Sequence, residues 1–263
     1  MKVALLQFCA GPLKAANIEL ALTMAREALA KKSKFVLLPE VFNFRGKTGD
    51  MGMIAEDIPG ASVRPFMGLA REYKAHILLG SIFERSAGQR VYNTSVLVDP
   101  AGRIRAKYRK INLFYACIDD KIYRESDRFL AGRHRVMAPV AGFKLGLSIC
   151  YDLRFQGIYR HYAAAGANVL SAPSCFTKIT GTAHWEILLR ARAIESLAYV
   201  LAPNQVGKDL RGVEAYGNSM IVSPWGEIIA RGSAEGQEII FGRIDLEEVK
   251  KARRKLPGVL GGL

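Results

Sequence analysis

The chain has 263 residues, half of them hydrophobic and 24% charged, which is enough to bury the core of one large domain or two small ones. Its apolar runs are shorter than the roughly 20 residues of a membrane-spanning helix, so we expect no membrane protein. A net charge of +14 is compatible with nucleic-acid binding, but the basic residues are scattered and no nucleic-acid-binding motif is present, so we do not expect such a partner.

The N-terminus and the cysteines both favour a cytoplasmic protein. The apolar run over residues 3–8 is too short for a signal-peptide core and predicts a strand instead. The cysteines form no C-x-x-C pair and no cluster with the histidines, so we expect neither a zinc site nor any other metal. In a reducing compartment all four would be free thiols: Cys9, Cys117, Cys150 and Cys175.

The first half of the chain alternates between predicted strands and helices. Apolar runs indicate buried strands, apolar residues at helical spacing indicate helices, and two β-rich runs around the turn sequence DPAG indicate a hairpin. In chain order we predict a strand, a helix, a strand, a helix, a strand and a hairpin, over residues 3–8, 15–32, 34–40, 62–74, 75–84 and 91–110. The charged residues 111–135 have no clear period and predict a long functional or disordered loop.

The second half has the same order of elements. We predict a strand, a helix, a strand, a helix, a strand and a hairpin over residues 144–150, 155–166, 167–174, 182–197, 199–205 and 217–232, and then a last strand and a basic helix. SVLVDPAGRI (95–104) aligns with SMIVSPWGEI (219–228), which indicates a weak internal repeat. Two such halves, each a sheet with helices on one face, would pack into a four-layer α-β-β-α sandwich. We therefore predict an α/β fold of two pseudo-symmetric halves in one domain, residues 1–257, with a flexible tail over 258–263.

Three polar residues stand where predicted strands end. Glu40 ends KFVLLPE, Lys110 ends IRAKYRK and Cys150 ends KLGLSIC. Functional residues gather at strand ends because the loops there vary over a rigid scaffold. By position alone each residue has an ordinary alternative: an exposed carboxylate, a surface lysine and a small buried thiol.

Three motifs in this order, LLPE, YRK before an apolar LF, and SICYDLRF, resemble those of the carbon–nitrogen hydrolase (nitrilase) superfamily. The resemblance covers nearly the whole chain. Residues 179–196 and 216–230 resemble the branch that contains omega-amidase and deaminated-glutathione amidase. The resemblance implies the four-layer sandwich, and it implies hydrolysis of non-peptide C–N bonds by a Glu–Lys–Cys triad.

The resemblance also implies a role for each residue of the triad and for two neighbours. Cys150 would attack the amide carbonyl, Glu40 would act as general base, and Lys110 would stabilise the thiolate and the oxyanion. Glu125 would be a second carboxylate that holds Lys110. The backbone N–H of Tyr151 would be a further oxyanion donor. This chemistry needs no cofactor.

Further residues are candidates for contact with the substrate, namely Phe42, Arg154, Ser174 and Cys175. Cys175 is expected near the pocket without being catalytic, and His184 is expected to be structural. Two departures from relatives lie beside the site: Gln156-Gly157 stands where relatives commonly have Pro-Glu, and Asn112 where they often have His. The first either leaves Arg154 available for a substrate carboxylate or alters a subunit contact.

These features predict an amidase that converts a small carboxamide to a carboxylate and ammonia through a cysteine thioester. The leading substrates are an ω-amide of a dicarboxylic or α-keto acid and deaminated glutathione. Two alternatives stay open: hydrolysis of a nitrile or an N-carbamoyl amino acid by the same triad, and a non-catalytic basic binding protein on a hydrolase scaffold. The resemblance also implies a homodimer that forms through the helix after Cys150.

Overall fold

The computed structural model describes residues 1–46, 51–118, 121–210 and 212–261. Its strands are β1 Lys2–Gln7, β2 Phe35–Leu37, β3 His76–Glu84, β4 Tyr92–Val98, β5 Ile104–Arg109, β6 Tyr115–Ile118, β7 Lys121–Arg124, β8 Met137–Val140, β9 Phe143–Leu147, β10 Val169–Ser171, β11 Tyr199–Ala202, β12 Val206–Lys208, β13 Glu214–Tyr216, β14 Met220–Val222, β15 Ile228–Arg231 and β16 Glu238–Arg243. Its helices are α1 Lys14–Ala30, α2 Met51–Ile54, α3 Arg64–Tyr73, α4 Gln156–Ala164, α5 Lys178–Ser196, α6 Leu246–Lys255 and α7 Gly258–Gly261. Among the described residues, none of these helices combines the length and the apolar character needed to cross a bilayer.

The strands form two six-stranded sheets with the same pairing pattern. The first has the order β16-β1-β2-β3-β4-β5, and the second, from its other edge, the order β8-β9-β10-β11-β14-β15. In each sheet three consecutive strands are parallel and the flanking strands are antiparallel. The predicted repeat therefore lies on equivalent hairpins, β4–β5 and β14–β15. The prediction of two pseudo-symmetric halves is confirmed, and β16 joins the halves because it pairs with β1.

Successive side chains along each strand point alternately to the space between the sheets and to the helix layer. On β1, Val3 and Leu5 lie in the core between the two sheets, whereas Ala4 and Leu6 lie under α1 and α3. Helices α4 and α5 cover the outer face of the second sheet, where the Trp185 side chain is fully buried. Successive side chains of a strand point to opposite faces, so strands buried on both faces read as continuous apolar runs. This arrangement is the predicted four-layer α-β-β-α sandwich.

The structure contains α2, β12 and β13, which were not predicted, and it differs from the prediction in three further segments. Part of the loop predicted over 111–135 is a hairpin of β6 and β7, whose strands of four residues each are too short to produce a visible period. Helix α5 begins at Lys178 rather than at residue 182, because the Thr177 side chain caps it by accepting a hydrogen bond from the Thr180 N–H. Residues 258–261 of the predicted flexible tail form α7, and residues 262 and 263 lie outside the described residues.

Candidate active site

Three strand ends bring Glu40, Lys110 and Cys150 to one cavity of about 570 Å³. Glu40 follows β2 by three residues, Lys110 directly follows β5, and Cys150 follows β9 by three residues. The first two strands belong to one sheet and β9 to the other, so the cavity lies where strand ends of the two sheets meet. The three residues are only 4%, 1% and 8% exposed, respectively, which means that their polar groups are shielded from water.

Three donors hold the Glu40 carboxylate in place. Its Oε1 accepts hydrogen bonds from Lys110 Nζ at 3.0 Å and from Asn93 Nδ2 at 2.9 Å. Its Oε2 accepts one from the backbone N–H of Cys175 at 2.8 Å. Donors at both oxygens fix the carboxylate plane, as a general base requires. Sequence reasoning missed Asn93, which is followed in β4 by two more polar residues, Thr94 and Ser95, and so carries no signal of its own.

The Lys110 ammonium lies between two carboxylates. It is 3.0 Å from Glu40 Oε1 and 2.9 Å from Glu125 Oε2, and the backbone N–H of Phe114 donates to Glu125 at 2.6 Å. Burial alone would lower the pKa of Lys110, but the charges of Glu125 and Glu40 raise it well above its ordinary value. Lys110 is therefore a fixed positive charge. Glu125 contacts it as expected, and burial raises the pKa of Glu125 while Lys110 opposes that rise.

Cys150 has a left-handed backbone with φ = 47°, which is uncommon for a residue that carries a side chain. It begins a 3-10 helix, Cys150–Arg154, and its N–H donates to the Pro173 carbonyl at 3.0 Å. Burial and the Glu40 carboxylate raise the pKa of the Cys150 thiol well above its usual value, whereas Lys110 and the Cys175 N–H act in the opposite direction. The resting thiol is therefore protonated, and its attack on a carbonyl has to be accompanied by proton transfer.

The backbone N–H of Tyr151 follows Cys150 in the first turn of the 3-10 helix. N–H groups in a first turn have no acceptor within the helix. The N–H groups on either side bond to backbone carbonyls, that of Cys150 to Pro173 and that of Asp152 to Ile149. The Tyr151 side chain lies on the cavity wall, where its ring contacts Phe114 edge-on with centroids 5.1 Å apart. The role of its N–H as an oxyanion donor stays a prediction.

Two of the predicted substrate contacts line the cavity. The Arg154 guanidinium lies 5.2 Å from the centre of the Phe176 ring, and its Nη1 is 3.2 Å from Nδ1 of His184 on α5. No carboxylate pairs with Arg154 in the part of the chain that the structure describes. Cys175 lines the cavity as well. The residues at 156 and 157 are exposed at the start of α4, and they place no carboxylate beside Arg154.

The other two predicted substrate contacts, Phe42 and Ser174, do not line the cavity. Phe42 is fully buried and packs edge-on against Phe66 of α3 with ring centroids 5.6 Å apart. The chain turns directly after Glu40, where Val41 has φ = 47°, so Phe42 points to the helix layer and Phe44 lines the cavity instead. Ser174 is also fully buried, and its hydroxyl donates to the Ala172 carbonyl at 2.9 Å.

A second guanidinium, which sequence reasoning missed, forms part of the cavity wall. Arg45 is buried and donates to the backbone carbonyls of Val206 and Val213, at 3.3 and 3.1 Å, in and beside the β12–β13 hairpin. It adds positive charge to a cavity that already contains Arg154. Among the described residues, no group of three or more His, Cys, Asp or Glu side chains is arranged to hold a metal ion.

Comparisons with known proteins agree with this geometry. Residues 2–254 match the family described as carbon-nitrogen hydrolase. The chain is 36% identical to omega-amidase NIT2 of Xenopus tropicalis over 257 residues, which cover 97% of this chain and 92% of that protein. Among solved structures, the C. elegans NitFhit protein is 34% identical with a TM-score of 0.92, over 97% of this chain and 63% of that longer one. Nit3 of Saccharomyces cerevisiae, described as a member of branch 10 of the nitrilase superfamily, is 32% identical with a TM-score of 0.88, over 98% and 94% of the two chains.

Proposed function

This chain belongs to the carbon–nitrogen hydrolase family and is similar over nearly its whole length to an omega-amidase, and we propose that it cleaves the ω-amide of a small dicarboxylic or α-keto acid through a thioester on Cys150. The observation that carries this proposal is the contact of Glu40 and Lys110, 3.0 Å apart, in the cavity that also contains the Cys150 thiol. A base, a fixed cation and a nucleophile together are the groups that amide hydrolysis requires.

In the first half of the proposed reaction, the substrate acylates Cys150. Its sulfur forms a bond to the amide carbon while the thiol proton moves to Glu40, and the carbonyl electron pair moves onto oxygen. Lys110 and the Tyr151 N–H stabilise that oxyanion. When the carbonyl re-forms, the C–N bond breaks and Glu40 gives its proton to the nitrogen, which leaves as ammonia. The product of this half is a Cys150 thioester.

In the second half, water releases the acid. Glu40, unprotonated again after ammonia has left, takes a proton from the water as the oxygen attacks the thioester carbon. Collapse of this second tetrahedral intermediate breaks the C–S bond. The thiolate takes the proton back from Glu40, so the enzyme returns to its starting state.

The charge of the cavity supports an anionic substrate. Arg154 lines it without a carboxylate partner in the described part of the chain. Among the described residues, five cationic side chains, including those of Arg45 and Lys110, and four carboxylates line the cavity, so positive charge is in excess by one. Guanidinium groups bind carboxylates with strong charge-assisted hydrogen bonds. An ω-amide that keeps its other carboxylate meets this requirement. Deaminated glutathione meets it as well, and there the leaving group that takes the proton from Glu40 would be the peptide amine instead of ammonia. The net charge of +14 would also attract such a substrate to the protein.

Arg154→Gln should reduce kcat/KM for a carboxylate-bearing ω-amide by about 10- to 100-fold, because a charge-assisted hydrogen bond is lost. The methyl ester of the same amide, which lacks the charge, should be affected by less than about twofold. Ammonia release from the two compounds measures this difference. Arg160→Gln, an exposed arginine on α4, is the matched control and should leave both values unchanged. Equal losses for the acid and its ester would contradict a role for Arg154 in recognising the anion.

The same assay separates the proposed reaction from its alternatives. We expect the wild-type protein to release ammonia faster from the ω-amide than from the matching nitrile or from an N-carbamoyl amino acid. Faster turnover of either of these would reassign the substrate class. A non-catalytic binding protein would release no ammonia from any of the three, and its affinity for nucleic acid would fall steeply with salt.

We also propose a cytoplasmic homodimer that forms through α5 and the neighbouring helix α4. The outer face of α5 exposes a row of isoleucines at helical spacing, Ile179, Ile187 and Ile194, and Ile187 is 69% exposed. The four cysteines are free thiols in the structure, which suits a reducing compartment.

Sedimentation tests the proposed dimer. It should give about twice the 29.0 kDa mass of the chain, and Ile187→Arg should shift that mass to the monomer value. A monomeric wild-type protein would disprove the dimer.

A further inference from the structure

One buried carboxylate, that of Asp152, connects the two chain segments that carry the amine and the thiol of the site. Asp152 is fully buried, two residues after Cys150 in the 3-10 helix. Tyr108 and Asn112, which both donate to it, lie two residues before and two residues after Lys110. The two donors therefore stand on either side of Lys110 along the chain.

Each oxygen of Asp152 has two donors. Oδ2 accepts from the Tyr108 hydroxyl at 2.7 Å and from the backbone N–H of Ile149 at 2.9 Å. Oδ1 accepts from the backbone N–H and from Nδ2 of Asn112, both at 2.9 Å. No lysine, arginine or histidine pairs with Asp152 among the residues that the structure describes. The anion is therefore held by directional hydrogen bonds, which specify the geometry of all four donors.

The hydrogen bond from the Ile149 N–H to Asp152 supports the strained backbone of Cys150, the proposed nucleophile. Ile149 precedes Cys150, and Asp152 both accepts from the Ile149 N–H and donates its own N–H to the Ile149 carbonyl, at 3.0 Å. This reciprocal pair brackets the left-handed backbone of Cys150, whose φ is 47°. Such a conformation persists only where its surroundings hold it in place. A cap for the 3-10 helix would need only this local pair, so the bonds to Tyr108 and Asn112 call for another explanation.

We infer that Asp152 is a positioning residue that sets the distance between the Lys110 ammonium and the Cys150 thiol by binding the two segments that carry them. This inference rests on the proposed function of the site. Lys110 and Cys150 come from different sheets, so no backbone hydrogen bond of either sheet determines their separation. Misplacing reacting groups by about 1 Å can reduce a rate about 100-fold. The hydrogen bonds by which Asp152 connects the two segments should therefore affect the catalytic rate directly.

Tyr108→Phe tests the inference because it removes one bond to Asp152 and keeps the buried ring. We expect kcat for the amide to fall about 10- to 100-fold with KM within about twofold, since the reacting groups are misplaced while the substrate contacts stay. The rate at which chloroacetamide alkylates Cys150 should fall with kcat. Asn112→Ala, which keeps the backbone donor, should show the same pattern with a smaller loss, and it serves if Tyr108→Phe does not fold.

Tyr162→Phe is the matched control. The Tyr162 hydroxyl is equally buried, donates to the Leu147 carbonyl at 2.6 Å and accepts from the Val136 N–H at 3.0 Å, and it has no hydrogen bond to Asp152. It should lower Tm as much as Tyr108→Phe does while both rates stay within about twofold of wild type. The inference is overturned if kcat and the alkylation rate fall equally in both variants. It is also overturned if neither of the two falls in Tyr108→Phe. Alkylation requires no substrate, so its result stands even if the protein hydrolyses no ω-amide.

Discussion

Cys150→Ala should abolish amide hydrolysis, with kcat reduced by about 10⁴-fold or more, because the alanine has no sulfur with which to form the thioester. The fold should remain, since the substitution removes one sulfur atom from a residue on the cavity wall. Ammonia release measures the first outcome and circular dichroism the second. With the wild-type protein, rapid quenching during turnover should show the acyl group on Cys150 by mass spectrometry.

Cys117→Ala provides the control for this prediction. Cys117 is also a free thiol, but it is exposed on β6 and is not one of the residues that line the cavity. Its removal should leave kcat unchanged, which separates loss of the nucleophile from loss of any thiol. Full activity of Cys150→Ala would disprove the proposed mechanism. Loss of activity together with loss of the fold would instead require Cys150→Ser, a closer match in size, to decide between the two causes.

Lys110→Met should produce the second large effect, on activity and on stability together. Without the ammonium, the buried carboxylates of Glu40 and Glu125 face each other with no cation between them. Removal of one partner from a buried ion pair costs about 3–5 kcal/mol in the free energy of unfolding. The oxyanion loses its cationic stabiliser, so kcat should fall by about 10²- to 10³-fold. Chemical denaturation and ammonia release measure the two changes.

The stability loss of Lys110→Met should depend on pH in a defined direction. Burial and Glu40 already raise the pKa of Glu125, and the loss of Lys110 removes the charge that opposes this rise. A carboxyl group with a higher pKa in the folded state binds more protons there than in the unfolded chain, so folding becomes less favourable as pH rises above the unfolded value of about 4.3. The difference in unfolding free energy between wild type and Lys110→Met should therefore be small at acidic pH and grow toward pH 8.

Two further variants show whether these effects come from the buried charges. Lys107→Met removes a half-exposed lysine from β5 that is 3.7 Å from Glu84, so it should cost less than about 1 kcal/mol and leave kcat unchanged. Adding Glu125→Gln to Lys110→Met should restore much of the stability and none of the activity. A Lys110→Met variant that retains kcat within about threefold would contradict the assigned role of Lys110 in catalysis.

The extent to which the site was predictable depends on the kind of contact. Glu40, Lys110 and Cys150 were recognisable because each stands at the end of a predicted strand, and because the motifs around them occur in family order. Asn93 and Asp152 were not assigned from sequence. Asn93 binds Glu40, and Asp152 binds Tyr108. In each pair the two residues are about 40 to 50 positions apart in the chain. No local pattern records such a partner, because its position depends on how the strands pair.

Phe42 shows why side-chain direction beyond a strand end was not predictable. Strand alternation determines which residues of β2 face each layer, but it stops where the strand stops. The left-handed backbone at Val41 then turns the chain, so Phe42 enters the helix layer and Phe44 reaches the cavity. The amino-acid sequence alone predicted most of the order of strands and helices and the layered fold, because these follow from local periodicity, and it indicated Glu40, Lys110 and Cys150 through the family order of the motifs around them. The tertiary structure decided which side chains meet in the cavity, because those contacts join segments distant in sequence across two separate sheets.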